Sequence, residues 1–307
     1  MAEEGLVYVE RGKLHQLFKD KLTNAGLSEQ HADKTADLMI FADERGIHSH
    51  GSVRTQYYAE RTAKKGYNLN PELTFTKTGP SSGTYFGDNA VGHYVAYEAM
   101  EEAIKLAKES GIGMVGIKEM GHSGAIGYFA EQASKEGMVA LTVCQSDPMV
   151  VPFGGTEPYF GTNPIAFAAP RKNGEPILFD MATTVQAWGK ILDARSKNKS
   201  IPDTWAVDKQ GEPTTDPFEV AALLPVAGPK GYGLMMMVDI LAGSLLGLPF
   251  GKHVTSMYED LSQYRRLGQF HIVINPAYFG DEEQFLTHVS EMVDELHDIK
   301  PAKGFDQ

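Results

Sequence analysis

Cysteine is nearly missing from this sequence: of 307 residues, only Cys144 carries a thiol. A lone thiol closes no intrachain disulfide and builds no thiolate metal cluster, which excludes a disulfide scaffold and suits the reducing cytoplasm. Basic charge is also in deficit, with 28 Lys and Arg against 40 Asp and Glu, for a net charge of −12. The one basic stretch, "ARSKNKS" at 194–200, is short and isolated, so neither a nucleic acid nor an anionic membrane is an expected partner. Long apolar runs are missing as well. The most apolar segment, "GLMMMVDILAGSLLGLPF" at 233–250, is interrupted by Asp239 and ends near a proline; it is short and polar for a bilayer span and reads as a core helix. The N-terminal "MAEEGLVYVE" lacks the basic start and apolar run of a secretory leader, so a cytoplasmic location is expected.

What is present is an ordinary globular composition, 42% hydrophobic and 22% charged, in a length that allows one large or two moderate domains. Residues 11–66 have helical texture: "KLHQLFKDKL" repeats apolar residues at three and four spacing, Gly26 stops that helix, and Ser28 can cap a second one. Gly46 breaks the second helix and a third follows at 53–66. From about residue 72 the texture changes to short strands, "ELTFTKTG" and "GTYFGD", then a helix over 90–110. Strands "IGMVGI", "MVALTVC", "IAFAAP", "PILFDMA" and "FHIVIN" alternate with helices over 124–137, 184–195 and 282–297. This places a helical domain at 1–72 and an α/β domain at 73–307, with the last ten residues unpacked.

The densest chemistry is "RGIHSHGSVR" at 45–54, in the expected loop between the second and third helices. His48 and His50, one residue apart, would point to opposite sides of an extended loop, a poor start for zinc, and no metal site is expected. A blander role for His48 is to cap the carbonyls of the preceding helix. Arg54, at the start of the third helix with Tyr57 and Tyr58 one turn on, offers a planar donor fork for a carboxylate. A second cluster, "MGHSGAIGYF" at 120–129, puts His122 in a Gly-flanked loop between a strand and a helix. Read as a near miss to G-x-S-x-G, it would make Ser123 a hydrolase nucleophile; Ala125 in place of the second glycine weakens that alternative. Gly111, Gly113 and Gly116 spell G-x-G-x-x-G but follow a helix and lie in a strand, the wrong context for a dinucleotide turn. The Gly- and Pro-rich loop "FGGTEPYFGTNP" at 153–164 and Lys230, next to a helix start, suit an approaching phosphate.

Taken in order, "RGIHSHGSVR", "MGHSGAIGYFAEQAS", "FGGTEPYFGTNPIAFAAP", "FDMATTVQAWGK", "IPDTWAVDKQGEPTTDP" and "GPKGYGLMMMVDILAGSLLGLPFG" resemble the type 2 malate/lactate dehydrogenases, over nearly the whole chain. The resemblance implies NAD(P)-dependent oxidation of a small 2-hydroxy acid such as malate, lactate or sulfolactate. It implies His122 as proton acceptor, Ser49 and His50 beside it in catalysis, and Arg54 and Tyr58 in the substrate pocket. Ser146, Asp180, Met181, Ala182 and Lys230 would contact the cofactor. "CQSDPMVVPFGG" and "MATTVQAWGKILDAR" point to one NAD-using branch, so NAD is expected rather than NADP. The implied fold is of the α+β type: a small helical domain plus a non-Rossmann cofactor domain with a mixed, largely antiparallel sheet, in a homodimer or larger homo-oligomer. Family chains usually continue some tens of residues beyond "PAKGFDQ", and that tail adds cofactor contacts, so cofactor affinity is expected to depend on it.

Overall fold

The computed structural model describes residues 7–305; residues 1–6, within the segment read for a leader, and residues 306–307 of the expected unpacked tail lie outside them. Two helices open the chain, α1 (Arg11–Ala25) and α2 (Glu29–Glu44). Gly26, at φ 120°, closes α1 with its N–H on the Leu22 and Thr23 carbonyls, a backbone state that favours glycine. Ser28 Oγ then accepts from His31 N at 3.3 Å and starts α2. The next helix, α3 (Thr55–Ala63), is shorter than the expected 53–66, because residues 48–50 and 52–54 wind as two 3-10 turns instead of a plain loop. Phe18 and Leu22 of α1, Ala36, Met39 and Ile40 of α2 and Tyr58 of α3 form one buried cluster with Tyr67, Val91 and Tyr94. Truncating a fully buried member such as Leu22 to alanine costs about 2–5 kcal/mol.

A seven-stranded sheet follows. In chain order come β1 (Thr74–Gly79), β2 (Ser82–Phe86), α4 (Gly92–Ser110), β3 (Ile112–Met120), α5 (Gly127–Lys135), β4 (Val139–Cys144), β5 (Ile165–Ala169) and β6 (Ile177–Met181). Beyond them lie α6 (Trp188–Ser196), a two-stranded ribbon of β7 (Ala206–Val207) and β8 (Ala222–Leu223), α7 (Pro229–Ala242), β9 (Leu267–Ile274) and α8 (Glu282–Asp298). The strand order is β1-β2-β3-β9-β4-β5-β6, and only β2 and β3 run parallel. The expected mixed, largely antiparallel sheet is therefore present, as are the strands read from the sequence. The parallel pair is joined by α4, the crossover helix such a pair needs. Side chains alternate along the strands, and one set (Val115, Ile117, Ala140, Ala166, Ala168, Val273) forms the main core with Val95, Ala99 and Met100 of α4 and Phe129 and Ala130 of α5.

The glycine triplet has its own explanation. Gly111, at φ 84°, ends α4, while Gly113 and Gly116 lie inside β3. A Cβ at Gly113 would sit 1.9 Å from the Ala103 carbonyl oxygen, so this glycine lets α4 lie tight on the sheet. Three other expectations need correction. The helix expected over 184–195 starts only at Trp188, because Val185 N donates to Leu224 O and Thr184 bridges to Pro225, which holds that stretch extended. The apolar helix of 233–250 is α7, which begins at Pro229 and ends at Ala242. It is only half a core helix: Met235, Val238 and Ala242 are buried, whereas Leu234, Met236, Met237 and Ile240 are 36–51% exposed. Residues 299–305 are exposed. No helix among the described residues is long and apolar enough to cross a membrane.

Candidate active site

His122 stands two residues past the end of β3, and the chain there threads against the start of α4. A Cβ on Gly92 would lie 2.1 Å from the Gly121 carbonyl oxygen; only glycine lets the two backbones pass this closely. Against His122 the helical layer delivers the 48–58 motif. The His50 ring stacks on the His122 ring with centroids 5.6 Å apart. Ser49 Oγ lies 2.9 Å from His50 Nδ1. Tyr58 Oη lies 2.8 Å from His122 Nδ1. Arg54, one helical turn before Tyr58, donates from Nε to the Ser49 carbonyl at 2.7 Å and from Nη1 to Tyr258 Oη at 2.9 Å.

Five of the expected residues, Ser49, His50, Arg54, Tyr58 and His122, are thus gathered in one place from segments about seventy positions apart. Two details differ. Tyr58 is fully buried, with its phenol oxygen on His122 Nδ1. The Arg54 fork is not wholly free, since two of its three nitrogens are already held; its Nη1/Nη2 edge keeps donors for a carboxylate. His48 behaves differently from His50. It is exposed, and its Nδ1 lies 3.2 Å from Asp43 Oδ1, so it pairs with a carboxylate in the last turn of α2 instead of capping the helix carbonyls. The two imidazoles do point apart, as expected, but from a 3-10 turn and not an extended loop.

Electrostatics keep the cluster neutral. Burial, and then the neighbouring His50 and Arg54, hold the His122 imidazole well below its ordinary range. Burial and Arg54 bring His50 down to about 4. Behind them, burial brings His93 down to about 3. All three rings are therefore unprotonated near pH 7, the state in which an imidazole accepts a proton. Burial also pushes the Tyr58 phenol well up, so it stays protonated.

Ser123 is not placed as a nucleophile. It is 1% exposed and donates to Gln269 Oε1 at 2.7 Å, while the adjacent imidazole is turned to Tyr58. The hydrolase alternative has no support in this geometry. Cys144, nearby and buried, has its thiol pushed up to about 12 by burial and is no nucleophile either.

Several residues that line the site were not singled out in the sequence. Tyr258 packs over Arg54, with the guanidinium 5.9 Å from its ring centre. Arg265 and Asp147 form a buried ion pair at 2.7 Å, and the second Asp147 oxygen accepts from Met257 N at 3.0 Å. Tyr57 Oη donates to the Met257 carbonyl, so residues 257–265 are tied down onto α3. Asp147 was quoted only inside a longer segment, and Arg265 sits in "SQYRRLGQF", where no local pattern marks it.

The segments that carry the expected cofactor residues are linked by hydrogen bonds. Ser146 Oγ accepts from Thr162 N at 2.8 Å, Thr183 N donates to Thr162 O, and Val226 N donates to Thr183 O. That chain of bonds runs from Ser146 past Met181 and Ala182 to the turn before α7. Lys230 is exposed in the first turn of α7, after Gly228 and Pro229. Cation and helix N-terminus together suit a diphosphate. One Asp180 carboxylate oxygen, Oδ2, accepts from Gly127 N at 2.7 Å at the start of α5, and burial raises its carboxyl to about 6. The start of α6 approaches the histidine cluster at Gly189, where an added Cβ would meet Ser49 Cβ at 3.4 Å. An exposed lysine in the first turn of α7 fits the diphosphate of a nicotinamide dinucleotide.

A neutral histidine gathered with an arginine that keeps free donors suits acid–base chemistry on a hydroxy acid, and comparison with known proteins points the same way. The chain matches the family model described as malate/L-lactate dehydrogenase over residues 9–307. It is 60% identical over 299 residues to ureidoglycolate dehydrogenase (NAD(+)) of Escherichia coli strain K12, covering 97% of this chain and 86% of that protein. Malate dehydrogenase of Pyrococcus abyssi is 39% identical over 315 residues, covering 99% and 86%. Among solved structures, sulfolactate dehydrogenase from Methanocaldococcus jannaschii superposes with a TM-score of 0.91 at 36% identity, over 98% of this chain and 87% of that one. The chain belongs to the malate/L-lactate dehydrogenase family, as its motifs led one to expect, and is a dehydrogenase acting on a CH–OH group.

Proposed function

We propose that this protein oxidises (S)-ureidoglycolate to oxalurate with NAD, in allantoin degradation in the cytoplasm. The observation that carries the proposal is the neutral His122, held at Nδ1 by Tyr58 and within the field of Arg54, in a chain 60% identical to a protein named ureidoglycolate dehydrogenase (NAD(+)). Arg54 holds the substrate carboxylate through its Nη1/Nη2 edge, which fixes the carbon to be oxidised. His122 takes the hydroxyl proton, and Ser49 with His50 orients the developing alkoxide. Bound NAD supplies the acceptor for the hydride that leaves the same carbon. Ser146, the backbone of Met181 and Ala182, Asp180 and Lys230 would hold it. In this reading the helical layer of residues 1–72 belongs to the substrate and the remainder, a non-Rossmann unit, to the cofactor. The exposed Leu234, Met236, Met237 and Ile240 of α7, with Leu245 and Phe250 beyond it, would face a second copy in a homodimer.

The test is NADH formation on a panel of ureidoglycolate, malate, lactate and sulfolactate, with NADP as control. Ureidoglycolate with NAD should give the highest kcat/KM. The runner-up, another 2-hydroxy acid, is motivated by relatives named malate and sulfolactate dehydrogenases; preferential turnover of one of those would replace the first reading. In that assay His122→Ala should depress kcat by about 100-fold or more.

A further inference from the structure

We infer that Asp43 is a positioning residue, whose carboxylate holds the 48–54 turns in shape and so places Ser49, His50 and Arg54. The inference deepens the functional reading above and rests on it. Asp43 lies in the last turn of α2, where a carboxylate faces the negative end of the helix dipole and gains nothing from the helix itself. Its partners lie beyond the helix. Oδ2 accepts from Ser52 N at 2.8 Å, and Oδ1 lies 3.2 Å from His48 Nδ1. One side chain thus grips the two residues that bracket Ser49, His50 and Gly51. Ser52 opens the second 3-10 turn, and an amide at a helix start has no partner within its own helix. Asp43 supplies that partner.

Gly51 makes room for this arrangement. It is buried, and the three atoms nearest to a Cβ added there all belong to the Asp43 carboxyl group, with Oδ1 at 1.9 Å. Glycine alone leaves the carboxylate in place. From this junction the geometry passes to the site. Arg54 N donates to Gly51 O at 2.9 Å and His50 N to Ile47 O at 2.9 Å, while Arg54 Nε donates to Ser49 O at 2.7 Å. Without the carboxylate, Ser52 N–H loses its acceptor and the junction between the two turns loosens, carrying Ser49, His50 and Arg54 with it. The contact with His48 is the lesser of the two, because His48 is exposed and an exposed ion pair contributes little.

The test combines backbone hydrogen exchange over residues 45–57 with steady-state kinetics on whichever hydroxy acid the wild type oxidises fastest. Asp43→Ala should speed exchange in that segment at least about 10-fold; this measurement needs no substrate and stands apart from the question of which hydroxy acid is used. In turnover, Asp43→Ala should lower kcat about 10- to 100-fold and raise KM for the hydroxy acid about 10-fold, with KM for NAD changed less than about twofold. Partial loss of folded enzyme would instead lower kcat at constant KM. Asp43→Asn, whose amide oxygen can still accept from Ser52 N, should recover most of the loss. His48→Ala should change kcat less than about twofold. Gly51→Ala should reproduce the Asp43→Ala defect, because its methyl group displaces the carboxylate; added to Asp43→Ala it should cost less than about threefold more. Any of five results would overturn the inference: unchanged exchange in Asp43→Ala, a kcat loss with KM constant, no recovery with asparagine, a His48→Ala defect equal to that of Asp43→Ala, or a multiplied loss in the double variant.

Discussion

Acidification from pH 7 to pH 5 should weaken this fold markedly, and the buried histidines set the magnitude. His50, His93 and His271 have imidazoles brought down by burial to about 4, 3 and 4, from an ordinary 6.5. In the unfolded chain each takes up a proton between pH 7 and pH 5; in the folded chain each stays bare. The unfolded state therefore binds more protons, and stability present above 6.5 is lost as the pH falls below it. At pH 5 the loss is about 2 kcal/mol per histidine, from about 1.36 kcal/mol per pH unit. Asp180 works the other way. Its folded carboxyl, raised to about 6 from 3.8, is protonated at pH 5 while the unfolded one is not, which returns about 1 kcal/mol. The net loss is about 4 kcal/mol, a large part of the 5–15 kcal/mol typical of a folded domain. Urea titrations followed by tryptophan fluorescence at both pH values measure it. In His93→Leu, which removes one titrating group, the gap between the two pH values should shrink by about 2 kcal/mol. Equal midpoints at pH 7 and pH 5, or a gap untouched by His93→Leu, would refute the reasoning.

Three further outcomes are expected. Arg54→Lys loses the Nε bond to Ser49 and the planar edge, so KM for the hydroxy acid should rise at least about 10-fold with a fall in kcat, measured by steady-state kinetics. Ser123→Ala should keep activity within about 10-fold while losing about 1–3 kcal/mol of stability, because it strips the buried Gln269 carbonyl of its donor; abolished activity with an intact fold would restore the nucleophile reading. Gly92→Ala places a methyl group on the Gly121 carbonyl, so both melting temperature and kcat should drop, the latter through a displaced His122 loop.

Much of this was legible because it is local. Gly26 and Ser28 punctuate α1 and α2 through their own backbones, and the helical and strand periods of α4 and β3 to β5 are written in neighbouring residues. The 45–54 and 120–129 segments declared themselves by packing histidine, serine and glycine together. What was not legible depends on partners far along the chain. Tyr258 reaches Arg54 across 204 positions and Arg265 reaches Asp147 across 118, and nothing in either segment signals the meeting. The resemblance alone places Tyr58 in the substrate pocket; only the fold shows that it is buried with its phenol oxygen on His122 Nδ1. The outward half of α7 likewise has no sequence mark, since its exposed and buried positions are equally apolar.

The place of β9 has a consequence for how the molecule is made. This strand lies between β3 and β4, yet it is the last of the nine to be synthesised. Until residue 274 has left the ribosome, the nascent chain holds two separate half-sheets, each with a bare backbone edge of unpaired amides and carbonyls waiting for the same keystone. Shielding those edges during translation is a task for chaperones, and the time needed to fold should track the arrival of this one segment.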